Sequence, residues 1–277
     1  RVDAAGTAGE FTVSIDAAPG DELELLRNQS SLAYVATLGV GLQVVDLNAV
    51  WREGTADVPN GFISHLIGGY NGRDDSTFLL CGERQQELGF LIDVDTMVRG
   101  SANPPLTVFG LVGVKGPSIF ESPVNNPGAI TFRSELCAEI QGSKAVSGLT
   151  TLPQFVFDPA TSTEPRDYIL VVHRIGGVLV VDVTDRNEPI PVGRYWVIGQ
   201  ASQATVDATA RKLYVSTAGG EVSVFDLGTK HYPLQMPDEN GDGIDDRRIE
   251  TFSLQGGSVT RVFLVPEVGL AFTGALD

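Results

Sequence analysis

One phrase recurs along the 277-residue chain: an apolar strand, a glycine-rich turn, two apolar residues, an aspartate and another apolar residue. The four copies are AYVATLGVGLQVVDL at 33–47, TFLLCGERQQELGFLIDV at 77–94, YILVVHRIGGVLVVDV at 168–183 and LYVSTAGGEVSVFDL at 213–227. Each copy is predicted to be a β-hairpin, because a turn separates two runs of β-branched and apolar residues. Internal repetition restricts the chain to folds that are built from one repeated unit.

The spacing of the copies predicts a β-propeller. Their marker aspartates are 47, 89 and 44 residues apart, and they are Asp46, Asp93, Asp182 and Asp226. The middle interval is about two periods, so the sequence predicts a period near 45 with one degenerate copy. Repeats of about 40 to 50 residues made of short strands are typical of propeller blades. We therefore predict an all-β propeller of about six four-stranded blades that forms a single domain over residues 1–277.

The two ends of the chain are predicted to close this ring. The last copy, VTRVFLVPEVGLAFTGALD at 259–277, stops after its second strand, and an open sheet edge there would favour aggregation. The sequence EFTVSIDA at 10–17 resembles the missing third strand. We expect the N- and C-terminal strands to share one blade. Residues 100–150 carry no clear marker, so an irregular segment is expected there.

An acidic loop, DENGDGIDD at 238–246, follows the hairpin at 213–227 within an insertion at 228–250. Calcium takes about six to eight oxygen ligands, and alternate residues of a tight loop can direct oxygens to one point. We predict a calcium site with six ligand residues, which are Asp238, Asn240, Asp242, Ile244 through its backbone carbonyl, Asp246 and Glu250. A solvated acidic turn without a metal is the alternative.

The far end of this loop departs from an EF-hand. Gly243 stands at position 6, where the loop needs a sharp turn, but Ile249 stands at position 12, where an EF-hand places a bidentate glutamate. Asp245, Asp246, Glu250 or water would then complete the ligand shell. A calcium ion here is predicted to fix the insertion to its blade.

The charge of the chain restricts its partners. Nineteen Lys and Arg residues against 35 Asp and Glu give a formal net charge of −16. A surface this acidic repels phosphate backbones and anionic lipids, so we expect no nucleic-acid partner. No apolar run approaches the roughly 18 residues that span a bilayer, so no membrane insertion is expected.

Few other residues indicate chemistry. The three histidines, His65, His173 and His231, are far apart and lack the spacing of a zinc motif. Cys81 and Cys137 leave two alternatives open, a single disulfide bridge or two separate buried thiols. No G-x-S-x-G nucleophile elbow is present, which removes evidence for catalysis without excluding it, so the enzyme question stays open with a non-enzyme favoured.

Two of the repeats resemble a known family. YVATLGVGLQVVDL and ILVVHRIGGVLVVDVTDRNEPIPVGRY look like the LVIVD-repeat propellers of bacterial and archaeal secreted or cell-surface proteins, and KLYVSTAGGEVSVFDL resembles the related YVTN repeats. The resemblance implies an extracellular or cell-surface location, and an interaction or structural role. It brings no catalytic residues that could be transferred to this chain.

The predicted function is that of a non-catalytic propeller, stabilised by calcium, which binds an unknown protein or carbohydrate partner at the cell surface. Two alternatives stay open. One is a propeller hydrolase or lactonase that holds its metal in the central channel. The other is a subunit of a surface filament or layer. The oligomeric state is not predicted.

Overall fold

The computed structural model describes the chain in segments. These are residues 2–3, 12–13, 32–37, 41–46, 51–52, 61–62, 65–70, 79–80, 83–84, 91–97, 106–112, 116–123, 126–136, 146–157, 159, 162–228, 237–253, 258–265 and 270–276. All regular elements in these segments are β-strands. The same segments contain no helix that is long and apolar enough to cross a membrane. Cys81 and Cys137 lie outside them, so the alternatives for these cysteines stay predictions.

The chain divides into two compact units. Residues 1–33 and 45–66 form one, and residues 34–44 and 67–277 form the other. Nine short strands are described before residue 90, and they are β1 (Val2–Asp3), β2 (Thr12–Val13), β3 (Leu32–Thr37), β4 (Gly41–Asp46), β5 (Trp51–Arg52), β6 (Gly61–Phe62), β7 (His65–Tyr70), β8 (Leu79–Leu80) and β9 (Glu83–Arg84). β3, β4 and β7 form a three-stranded sheet, and the others pair as β1–β2, β5–β6 and β8–β9.

Three four-stranded antiparallel sheets follow, each with its strands in chain order. Sheet 1 contains β10 (Leu91–Met97), β11 (Leu106–Val112), β12 (Gly116–Ser122) and β13 (Thr131–Glu135). Sheet 2 contains β14 (Val146–Phe155), β15 (Arg166–His173), β16 (Gly177–Asp182) and β17 (Ile190–Tyr195). Sheet 3 contains β18 (Ala201–Asp207), β19 (Lys212–Thr217), β20 (Glu221–Asp226) and β21 (Arg248–Ser253). The all-β prediction is confirmed, and these three sheets have the predicted four strands.

Among the described residues, the C-terminal strands pair with each other and not with β1 or β2. β22 (Ser258–Val265) and β23 (Leu270–Leu276) form one antiparallel sheet, whereas Thr12–Val13 pairs with Val2–Asp3. The predicted blade shared by residues 10–17 and the last two strands is therefore wrong for the described residues. A two-residue strand at 12–13 satisfies its backbone groups with the nearest segment in sequence, which costs the least loop entropy.

The sheets repeat at a longer interval than the sequence indicated. β10, β14, β18 and β22 begin at residues 91, 146, 201 and 258, which are 55, 55 and 57 residues apart. The predicted spacing fails at Asp93, which is not equivalent to the other markers, whereas the third strands of sheets 2 and 3 end at Asp182 and Asp226, 44 residues apart. Asp93 instead lies within β10, the first strand of sheet 1.

The marker aspartates of sheets 2 and 3 cap the turns that follow their strands. Asp182 Oδ1 accepts a hydrogen bond from the backbone N–H of Thr184 at 2.9 Å, and Asp226 Oδ1 accepts one from Gly228 at 2.6 Å. A short carboxylate side chain that bonds to the backbone two residues later stabilises a turn. The repeated aspartate therefore marks the end of a third strand.

Sheet 1 occupies much of the segment at 100–150 that was expected to be irregular. β11, β12 and β13 lie in this segment and pair in continuous antiparallel register apart from one shift between β12 and β13. β12 ends at Ser122, whose hydroxyl donates a hydrogen bond to the Pro127 carbonyl at 2.9 Å. A hydroxyl thus holds the turn here, which explains why no marker aspartate is visible.

The central strands of sheet 2 are buried on both faces. In β15, Leu170 and Val172 pack in a core shared with sheet 3, whereas Ile169 and Val171 pack in a core shared with sheet 1. All four side chains are fully buried. Alternate side chains of a strand point to opposite faces, so a strand between two sheets must be apolar at every position. This accounts for the uninterrupted apolar runs of the repeat.

Candidate metal site

The predicted calcium loop lies in the connection between β20 and β21, and it folds into a closed loop. The backbone N–H of Asp246 donates to the carbonyl of Pro237 at 2.9 Å, and the N–H of Glu239 donates to Asp246 Oδ2 at 2.7 Å. These two bonds join the ends of the loop. Asp246, the ninth loop position, therefore lies beside the first two.

The carboxylate of Asp238 organises the middle of the loop. Its Oδ1 accepts from the N–H of Asp242, and its Oδ2 accepts from the N–H of Gly243, each at 3.0 Å. Asn240 Oδ1 also accepts from Asp242 N–H, at 2.9 Å, and Asp242 Oδ1 accepts from Ile244 N–H at 2.8 Å. The side chains at positions 1, 3 and 5 thus bond to the loop backbone from within the same short segment.

Two glycines permit this backbone path. Gly241 and Gly243 have φ angles of +74° and +76°. A Cβ atom at either position would meet no atom within 4 Å, so the backbone conformation, not lack of space, requires glycine there. The sequence prediction that the sixth loop position needs a sharp turn is consistent with this geometry.

The loop keeps capacity for a cation. A carboxylate has about four lone-pair sites on its two oxygens, and Asp238 uses one site on each for a backbone N–H. Asp242 and the loop's far carboxylate, Asp246, are both exposed. Within the segments that the structure describes, no three His, Cys, Asp or Glu side chains already lie close enough together to hold a metal. Binding would therefore require the carboxylates to turn toward a common centre.

The structure brings five of the six predicted ligand residues into this loop. Glu250 is not among them, because it lies in β21 opposite Val224. Asp245, an alternative ligand at the far end, is engaged elsewhere. It is 2% exposed and forms a two-point ion pair with Arg247, through Nε to Oδ1 at 2.8 Å and Nη2 to Oδ2 at 2.7 Å.

The Asp245–Arg247 pair anchors the loop to sheet 2, and sequence reasoning missed it. Arg247 donates to the backbone carbonyl of Arg194, and its guanidinium lies 4.4 Å from the ring centre of Tyr195. Asp245 Oδ2 accepts from the backbone N–H of Trp196 at 2.9 Å. The only local sign of this anchor is an aspartate two residues before an arginine at the start of a strand. The acidic loop therefore leads directly into the contact between sheets 2 and 3.

The equivalent connection of sheet 2, residues 183–189, also sends an arginine to the preceding sheet. Arg186 is 6% exposed, its Nη2 lies 2.8 Å from Asp167 Oδ2, and its guanidinium lies 5.6 Å from the ring of Phe109 in sheet 1. Burial alone would raise the pKa of Asp167, but hydrogen bonds from Gln154 and the charge of Arg186 outweigh it. The pKa of Asp167 is therefore held below its ordinary value.

No protein-family model matches this chain, and no curated protein matches it either. The resemblance of the repeats to LVIVD-type propellers therefore stays a prediction.

Proposed function

We propose that this chain is a non-catalytic β-propeller of about six blades, located outside the cell or at its surface, and that it acts as an interaction or structural module. The acidic loop binds calcium and fixes the insertion at 228–250 to its blade. The ring is a rigid platform that presents its connecting loops to a protein or carbohydrate partner.

The links between neighbouring sheets support the propeller. The first strands of sheets 1, 2 and 3 and β22 contact one another in order. Thr150 Oγ1 on β14 donates to the Ala204 carbonyl on β18, and Thr205 Oγ1 on β18 donates to the Val262 carbonyl on β22, both at 2.7 Å. Sheets that repeat every 55 to 57 residues and meet along their first strands are the arrangement expected around a propeller axis.

Sheets 1 and 2 are joined along the same strands in a different way. The carboxylates of Asp93 and Asp95 on β10 accept hydrogen bonds from the backbone N–H groups of Leu149 and Thr151 on β14, each at 2.8 Å. These bonds satisfy backbone groups on a strand edge that would otherwise be open to another chain. Asp93, which the repeat grouped with the other marker aspartates, instead joins two blades in this proposal.

The observation that carries the calcium proposal is the Asp238 carboxylate, which bonds to the backbone of positions 5 and 6 while the two glycines take left-handed conformations. In a calcium loop of the EF-hand type, the side chain at position 1 is a ligand and a glycine at position 6 makes the sharp turn. The loop leads into the buried pair of Asp245 and Arg247, so ordering it would also strengthen the contact between sheets 2 and 3.

The test is calcium-dependent stability of the full chain. We expect calcium at millimolar concentration to raise the melting temperature and the resistance of the 228–250 connection to proteolysis, and EDTA to reverse both effects. Asp242→Asn should weaken the response, because asparagine keeps the hydrogen bond from Ile244 N–H and a ligand oxygen but removes the charge.

Asp185→Asn is the matched control. Asp185 is an exposed aspartate in the equivalent connection of sheet 2, and its Oδ1 likewise accepts a backbone N–H two residues later, from Asn187 at 2.9 Å. This variant should respond to calcium as the unaltered chain does. If calcium leaves the melting temperature of the unaltered chain unchanged, or if Asp242→Asn responds equally, the calcium site is wrong.

A further inference from the structure

Arg194 differs from the other buried arginines at the contacts between sheets. Its side chain, on β17, is 2% exposed. Its Nη2 has no hydrogen-bond partner in the part of the chain that the structure describes. Arg186 and Arg247, which are buried to a similar degree, each form an ion pair with a buried aspartate. A buried guanidinium without an anion is costly, since it has lost its hydration without compensation.

The nearby buried carboxylate cannot serve Arg194. Asp245 Oδ1 accepts from the N–H and the Nε of Arg247, at 3.0 and 2.8 Å. Its Oδ2 accepts from the N–H of Trp196 at 2.9 Å and from Arg247 Nη2 at 2.7 Å. Four hydrogen bonds fill the lone-pair sites of a carboxylate. Asp245 therefore has no free lone-pair site with which to accept a hydrogen bond from Arg194.

Trp196 places a second unused donor in the same region. The Arg194 Cζ lies 5.0 Å from the centre of the Trp196 ring, and the indole Nε1 is buried without a hydrogen-bond partner among the described residues. Burial lowers the pKa of Arg194, and no carboxylate among the described residues offsets that effect. The ring supplies a cation–π contact, which compensates a guanidinium less fully than an anion would.

The turn between β15 and β16 covers this region. A Cβ atom at Gly176 would lie 2.8 Å from Arg194 Nη1, so the turn passes directly over the guanidinium. The backbone N–H of Ala201 donates to the Arg174 carbonyl at 3.1 Å, which holds the turn beside residues 196–200. Ile175 and Ile198, one on each segment, are 68% and 56% exposed. The cover is thus a glycine turn with apolar side chains at its rim.

We propose that Arg194 and Trp196 form a binding site for the oxyanion group of a small ligand, a carboxylate, sulfate or phosphate. The planar guanidinium binds such a group through two parallel hydrogen bonds, and the indole N–H offers a further donor. The net charge of −16 opposes long polyanions, so the site suits a ligand with one anionic group and an apolar part against Ile175 and Ile198. This site adjoins the base of the acidic loop, where the backbone N–H of Trp196 donates to Asp245, but it uses none of the six predicted calcium ligands.

The test titrates the full chain in EDTA with sodium acetate, sodium sulfate or sodium phosphate, against sodium chloride at equal ionic strength. Binding is measured by calorimetry and by melting temperature. We expect at least one of the three anions to bind. Comparing acetate with sulfate and phosphate then shows whether the site prefers a planar or a tetrahedral anion. Arg194→Met should abolish this binding, and Arg194→Lys should weaken it by about tenfold or more because the two-point geometry is lost.

Two further variants complete the test. Trp196→Phe keeps the aromatic face and removes the N–H, so it should weaken anion binding without preventing folding. Arg174→Met removes an exposed arginine from the same turn and should bind the anion unchanged. In the absence of anion, Arg194→Met should melt no lower than the unaltered chain, because methionine removes a buried charge that has no partner.

Three results would overturn the proposal. In the first, none of the three anions stabilises the unaltered chain more than chloride does. In the second, Arg194→Met retains the full anion response, which would show that sulfate or phosphate acts by exclusion from the whole surface. In the third, Arg194→Met is strongly destabilised in chloride and the unaltered chain shows no anion binding, which would make Arg194 a packing residue.

Discussion

Two connections of the same kind, residues 183–189 in sheet 2 and residues 227–247 in sheet 3, solve one packing problem with very different lengths of chain. Each joins the third strand of its sheet to the fourth, and each inserts an arginine against an aromatic ring of the preceding sheet. Arg186 lies 5.6 Å from the ring of Phe109, and Arg247 lies 4.4 Å from the ring of Tyr195. A short connection is therefore sufficient for the contact between sheets.

The two connections differ in the element that supplies the carboxylate for the arginine. Arg186 pairs with Asp167 from β15, whereas Arg247 pairs with Asp245 from its own connection. The long connection therefore supplies both residues of its buried ion pair. Its acidic part at 238–244 takes no part in that pair. This comparison supports the proposal that the acidic part serves binding and not packing.

The largest effect is expected from removing either buried arginine. Arg186→Met and Arg247→Met should each lower the free energy of unfolding by about 3–5 kcal/mol, because each leaves a buried carboxylate without its partner. Urea denaturation measures both losses. Arg133→Met, at an arginine that is 45% exposed and paired with Glu121, is the control and should cost far less. A loss below about 1 kcal/mol for either buried arginine would contradict the shared role.

Acid should weaken the short connection through Asp167, with an effect smaller than that of removing the arginine. The pKa of Asp167 is lower in the folded state than in the unfolded chain, so the folded state binds fewer protons. The stabilisation by Asp167 is complete above the pKa of this carboxyl in the unfolded chain, which is about 4. It is lost as the pH falls through the lower pKa of the folded state.

Asp167→Asn provides the measurement. At pH 7 this variant should be less stable than the unaltered chain, and the difference should narrow as the pH falls below the ordinary aspartate pKa and through the lower pKa of the folded state. Chemical denaturation across this range gives both curves. A difference that stays constant with pH would rule out the charge of Asp167 as the cause.

A smaller effect is expected from replacing residues 238–244 by a Gly/Ser linker of the same length. Without calcium, the change in unfolding free energy should be within about 1 kcal/mol, because Asp245 and Arg247 remain in place and loop closure depends weakly on composition. With calcium, the stabilisation seen in the unaltered chain should disappear. A large loss without calcium would mean that the acidic part itself supports the packing.

The smallest effect should come from the ion pair of Arg166 and Asp182, which lies at the start of the short connection. In this pair, Arg166 Nη1 lies 2.7 Å from Asp182 Oδ2. The arginine side chain is 53% exposed, so solvent screens the pair. Arg166→Ala should cost about 0.5 kcal/mol or less, measured by urea denaturation at low and high salt. A cost that does not decrease with salt would show that the pair behaves as a buried one.

The prediction from sequence succeeded where the signal was local. The apolar runs around Leu170 predicted strands, and the repeat placed Asp182 and Asp226 after the second apolar run of a hairpin, where the structure ends a strand. The prediction failed at Asp93, where the same sequence phrase lies in the first strand of sheet 1. The side chain there bonds to β14, which is more than 50 residues away, and no local pattern reports such a partner.

The sequence by itself determined the all-β class, the hairpin unit and the tight acidic loop, since these depend on alternation, glycine conformation and short-range hydrogen bonds. Only the tertiary structure decided the 55-residue repeat, the insertion of Arg186 and Arg247 between sheets, and the burial of Arg194 without a counter-ion. The physical reason is that a charged side chain is exposed or buried according to what packs over it. For Arg194 that cover comes from the β15–β16 turn and from Trp196, and the meeting of these elements is a property of the folded sheets.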